Sequence, residues 1–141
     1  MNITYLSLAS RGLRGKCTLN EIFNTTFDTL TSLRDLNLSS CQQLKNIHTH
    51  AFSKLTHLER LDFSYNRRLG FSPMGNITHS LQFTIIQYLD YSAVYRTFGT
   101  STVLLKKDVC YLLNTTLKRV NLRSTRVQPF DPNLLMLLPK T

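Results

Sequence analysis

The segment Leu58-Glu59-Arg60-Leu61-Asp62-Phe63-Ser64-Tyr65-Asn66 places its apolar residues in the order L-x-x-L-x-L-x-x-N. The same order appears upstream with Leu33, Leu36, Leu38 and Cys41, and each copy is followed by a leucine three positions on, Leu44 and Leu69. Ile3, Leu6, Leu8, Arg11 and Leu13 give another match, and Leu117, Val120, Leu122, Thr125 and Val127 a further one. Between them Ile86, Leu89, Tyr91 and Val94 match more weakly. The intervening stretches are patterned too, since Phe27, Leu30 and Leu33 repeat the spacing of Phe52, Leu55 and Leu58. A unit that begins afresh at Ile3, Leu33, Leu58, Ile86 and Leu117, at nearly even intervals, is the mark of a stacked repeat array.

Each L-x-L stretch reads as a short strand whose alternate side chains face opposite ways. Leu36, Leu38, Leu61, Phe63, Val120 and Leu122 are then the inward, structural positions. Stacking these strands predicts an α/β solenoid, with a curved parallel sheet on the concave side and loops and short helical turns on the convex side. The Asn slot turns its amide inward to bond neighbouring backbone, because buried backbone groups must be paired. Asn66 fits that slot, Cys41 and Thr125 are small substitutes, and Arg11 and Val94 depart from it. One coil cannot bury its own apolar face. Residues 1–141 are therefore expected to form one domain of about five repeats, uncapped at both ends and cut from a longer array. Two glycines and a proline between Leu69 and Gly75 predict an ordered edge loop, and a short helix is expected at Val103 to Leu113.

The outward strand positions form three rows. Tyr5, Asp35, Arg60, Tyr88 and Arg119 make the first; Ser7, Asn37, Asp62, Asp90 and Asn121 the second; Ala9, Ser39, Ser64, Ser92 and Arg123 the third. Tyr5, Asp35, Arg60, Asp62, Tyr88, Asp90, Arg119 and Arg123 are the candidate binding residues of this concave face, since Tyr and Arg commonly anchor interfaces. The plainer account is a solvated, idle surface. Five strands at ~4.8 Å spacing span about 20 Å, roughly half of what a standard interface of ~800 Å² per partner needs. The chain carries 17 Lys and Arg against 8 Asp and Glu, a net +9 that favours an anionic partner. Those cations are scattered, and they make no continuous phosphate-binding stripe.

Five N-x-S/T sequons, at Asn2, Asn24, Asn37, Asn76 and Asn114, are candidate N-glycosylation sites. Asn37 is the one expected on the concave face. Cys17, Cys41 and Cys110 lack CxxC spacing. Because Cys41 occupies an inward slot, a free buried thiol is expected there rather than a bridge to Cys17. His48-Thr49-His50 lacks a third ligand to complete a metal site, so exposed histidines are the expectation. Neither a G-x-S-x-G elbow nor a glycine-rich phosphate loop is present, so no catalysis and no cofactor are expected. No apolar run approaches the ~18 residues of a membrane span, and no secretory signal is visible at the N-terminus.

The stretch from Ala51 through Asn66 resembles the typical extracellular leucine-rich repeat. Together with Asn66-Arg67-Arg68-Leu69-Gly70-Phe71 and Leu36-Asn37-Leu38-Ser39 it is similar to Toll-like receptor ectodomains. The resemblance implies a non-enzymatic horseshoe, outside the cell or on its surface, that recognises a protein or glycan ligand. It implies a receptor dimer in the full-length protein, with signalling through a cytoplasmic TIR domain across a membrane span. Two other readings are an extracellular matrix or adhesion repeat protein and a cytosolic repeat scaffold, the latter predicting empty sequons and reduced cysteines.

Overall fold

The computed structural model describes residues 2–10, 17–94 and 105–125. Among them seven short strands run in chain order: β1 Tyr5–Ser7, β2 Glu21–Ile22, β3 Asp35–Asn37, β4 Asn46–Ile47, β5 Arg60–Asp62, β6 Tyr88–Asp90 and β7 Arg119–Asn121. Helix α1 (Met74–Leu81) lies between β5 and β6, and α2 (Lys106–Val109) with a 3₁₀ turn (Cys110–Asn114) between β6 and β7. The strands β1-β3-β5-β6-β7 form one parallel sheet, and β2-β4 a second, two-stranded one.

The register of the large sheet is continuous. Leu6, Leu36, Leu61, Leu89 and Val120 stand side by side on one face, as do Tyr5, Asp35, Arg60, Tyr88 and Arg119 on the other. Leu36, Leu38, Leu61, Phe63, Leu89 and Tyr91 are fully buried. Val120 and Leu122 are only partly covered, because among the described residues β7 has a strand on one side alone. The chain is thus an α/β leucine-rich-repeat solenoid. The weak unit takes its full place in it, with Val94 buried and β6 paired on both sides. Arg11, Leu13 and Val127 lie outside the described residues.

Each strand of this sheet ends in the same way. The side-chain oxygen of the last strand residue accepts a backbone N–H two positions on: Asn37 from Ser39 at 3.0 Å, Asp62 from Ser64 at 2.8 Å, Asp90 from Ser92 at 3.0 Å and Asn121 from Arg123 at 3.1 Å. Ser7 makes the same contact to Ala9 at 3.4 Å. Such Asx turns stabilise the bend that follows a strand. One residue later the backbone enters the left-handed region, at Ser40, Tyr65, Ala93 and Ser124 with φ of 54–63°.

Three expectations are corrected. Cys17 and Cys41 form a disulfide, with Cα atoms 5.0 Å apart. Cys41 is buried in the Asn slot, yet the returning segment of the preceding coil also lines the interior and brings Cys17 to it. The edge loop at Leu69 ends early, for its last residues, Met74 and Gly75, already belong to α1. Met74, Ile77 and Leu81 recur at helical spacing and are buried, which outweighs the glycine and proline beside them. The helix expected at Val103 to Leu113 is split into α2 and a 3₁₀ turn that runs on to Asn114, with Val103 and Leu104 outside the described residues.

Candidate recognition face and the coils behind it

Residues i and i+2 of a strand share a face, so burial of Leu61 and its partners leaves both flanking rows on the open side of the sheet. In the first row Arg60 lies over the Tyr88 ring, 5.0 Å from its centroid, and its Nε stands 3.8 Å from the Asp35 carboxylate. Burial raises the Asp35 carboxyl above the usual value, Arg60 counteracts that, and Asp62 adds to it. The Tyr88 phenol is also raised, first by burial and then by Asp90, whose carboxylate accepts its hydroxyl at 3.1 Å. Tyr5 is 59% exposed, and Arg119 is exposed beside Tyr88.

The second row differs chemically. One oxygen of Asp62 and one of Asp90 are committed to the Asx turns, and the other Asp90 oxygen meets Tyr88 and Asn121. These carboxylates help shape the coil as well as facing solvent. The sequence signal was the recurring [ND]-x-S at Asn37, Asp62 and Asp90. Arg123 begins the turn after β7 and is exposed. The first-row side chains take no part in these Asx turns.

The Asn slots are filled four ways. Asn66 donates from Nδ2 to the Leu38 carbonyl at 2.9 Å and the Phe63 carbonyl at 2.7 Å. Thr125 donates to Leu122 at 2.8 Å. Cys41 carries the disulfide, and its sulfur sits 3.7 Å from the Leu8 carbonyl, the position corresponding to Leu38 in the next coil. Val94 has no donor. Its coil closes through Gly70 instead, whose N–H donates to the Val94 carbonyl at 2.8 Å and whose carbonyl accepts the buried Tyr91 hydroxyl at 2.7 Å. Gly70 has a φ of 60°, which glycine adopts without strain.

The sequon asparagines are scattered over the molecule. Asn37 ends β3 on the open face, half-buried. Asn2, Asn24 and Asn114 are exposed, whereas Asn76 is partly buried within α1. His48 pairs with Glu21 at 2.7 Å, and His50 turns to Ser53 at 3.1 Å and packs its ring on His79, so the two imidazoles serve different contacts. No three His, Cys, Asp or Glu side chains converge to hold a metal among the described residues. No described helix is long and apolar enough to cross a membrane.

Residues 15–68 match the family model described as leucine rich repeat. The chain is also 35% identical over 130 residues to a Toll-like receptor 4 from Pinctada imbricata. That alignment covers 92% of this chain and 14% of the relative, so the chain spans about one-seventh of that protein. Repeat spacing, sheet register and both matches agree: the chain belongs to the leucine-rich-repeat family and is similar to a Toll-like receptor.

Proposed function

We propose that the chain is a non-enzymatic recognition module of a Toll-like receptor ectodomain, which binds a protein partner through the first row of its open sheet face. The observation that carries this reading is the unbroken register of Tyr5, Asp35, Arg60, Tyr88 and Arg119 across five strands. A rigid sheet holds these side chains, so little conformational entropy is lost when a partner docks. The stacked Arg60–Tyr88 pair is of the kind that anchors interfaces. Arg60 and Arg119 of the first row stand beside Asp35, Asp62 and Asp90, a mixture that matches a partner carrying both signs better than a uniformly anionic polymer. A sheet of this size supplies part of an interface, and neighbouring coils of the longer ectodomain supply the rest. Ligand-driven dimerisation and signalling through a TIR domain belong to that whole receptor.

The Cys17–Cys41 bridge supports an oxidising compartment and counts against a cytosolic scaffold. Likeness to a Toll-like receptor along nearly the whole chain favours a cell-surface receptor over a matrix or adhesion protein. The test places a photo-crosslinking residue at Tyr88, or at exposed Lys54 on the outer side, in the full-length protein on cells. Adducts with a second protein are expected from position 88. Adducts from position 54 alone would defeat the reading.

A further inference from the structure

We infer that three of the five sequons fall into two kinds: Asn24 and Asn114 accept N-linked glycans, whereas Asn76 is built into the solenoid and stays unmodified. The inference rests on the extracellular reading above and goes beyond it by assigning sites.

Asn76 and the second polar residue of its sequon, Thr78, each join α1 to an adjacent coil. The Asn76 amide nitrogen donates to the Ile47 carbonyl at 2.9 Å, and its oxygen accepts the Thr49 hydroxyl at 3.2 Å. Thr78 is fully buried and donates to the Asp108 carbonyl at 3.0 Å. Ser80, two residues on, donates to the Thr49 carbonyl. Alternate polar residues of α1 thus tie one coil to β4 on one side and to α2 on the other. Packing demands of the fold account for an Asn and a Thr at these positions. A glycan would take the place of a hydrogen on the Asn76 amide nitrogen, the atom that donates to the Ile47 carbonyl, and would have to displace that bond or force α1 away from β4.

Asn24 and Asn114 lie on returning segments outside the five-stranded sheet, and both are exposed. Among the described residues the Asn24 side chain has no hydrogen-bond partner, and that of Asn114 meets only the half-buried Gln82, at 3.2 Å. Each directly follows a bare apolar side chain: Phe23 is 46% exposed and Leu113 is 64% exposed. A hydrated glycan at these positions covers apolar surface that the coil cannot bury, and it leaves the first row of the sheet open.

The test is to secrete the chain from a eukaryotic cell behind an added signal peptide and remove its glycans enzymatically in heavy-oxygen water. Mass spectrometry then reads which asparagines became labelled aspartates. Label at Asn24 and Asn114 with none at Asn76 is the expected result. Label at Asn76, or its absence from Asn24 or Asn114, overturns the assignment. A second readout is independent of secretion yield. In glycan-free protein, Asn76→Gln is expected to lower the melting temperature by roughly 3–8 °C, and Asn24→Gln and Asn114→Gln to leave it unchanged. An unchanged melt for Asn76→Gln also overturns the assignment. The crosslinking test at Tyr88 needs no glycan, so failure here leaves the recognition face standing, and the reverse holds.

Discussion

Two kinds of coil share one sheet. Before Leu58 the return paths carry no helix among the described residues and are lined by Phe27 and Phe52, whose rings stack 6.3 Å apart, with the two-residue strands β2 and β4 beside them, and the path from Leu33 to Leu58 is the shortest. From Leu58 to Ile86 it is longer, and from Ile86 to Leu117 longer again, and α1, α2 and the 3₁₀ turn occupy it. The strand register does not change where the filling does. An aromatic column bridges the change, since Phe52 meets Phe63 and Phe63 meets Tyr91, both at 5.9 Å, and Tyr91 meets Phe71 at 5.6 Å. The sheet is set by the inward apolar positions and their turns, while the outer wall need only fill the volume left to it. Open face and wall can therefore vary separately.

If the inward positions are what both kinds of coil share, a charge placed there should destroy both. Leu61 lies at the centre of β5, fully buried between a short coil and a long one. Leu61→Asp puts an unpaired carboxylate in the interior at a cost of several kcal/mol, about the whole stability of a small domain. Loss of the cooperative melting transition is expected, and a melt like the parent's would refute the shared core.

The same logic explains how far the sequence could be read. The apolar period was visible because one burial rule acts on every coil, and it placed all five strands of the large sheet and their rows. The return paths were less legible because their rule is local. Helix α1 hid behind Pro73, Gly75 and the polar Asn76, Thr78 and Ser80, since its polar residues bond neighbouring coils. Cys17 gave no sign of its partner, because a bridge depends on two segments meeting in space. The second row read as pure surface until the Asx turns showed what Asp62 and Asp90 also do.

The helix-free side can be sharpened at its Asn slot. The Cys17–Cys41 bridge closes a sequence separation of 24 residues, and a loop of that length is worth about 3 kcal/mol. Cys17→Ser should cost that amount and leave the β5–β6 half unaffected in hydrogen exchange. Adding Cys41→Asn should recover about 1 kcal/mol, because an amide in that slot reaches backbone carbonyls as Asn66 does. Urea midpoints measured without reductant check both, and parent-like stability of Cys17→Ser would remove the bridge from the account.

The smallest effect belongs to the long coils alone. Asp108 is buried at the start of α2, where its carboxylate accepts the Leu105 N–H at 2.8 Å. Burial raises its carboxyl above the ordinary value near 3.8, and the Leu105 hydrogen bond and Lys107 only partly offset that. The native state then holds this proton more tightly than the unfolded chain does. Its contribution to stability is fully present below the unfolded value and is lost as pH rises through the raised native one. Asp108→Asn cannot ionise, yet it keeps an oxygen for the Leu105 N–H. Relative to the parent it should gain stability as pH rises from about 3 to about 6, by no more than ~1 kcal/mol. Carboxylates common to both proteins, Asp35 among them, cancel in the difference. A gain that grows toward acid instead would mean that the helix-start bond outweighs burial, and that the wall of the long coils is held by charge.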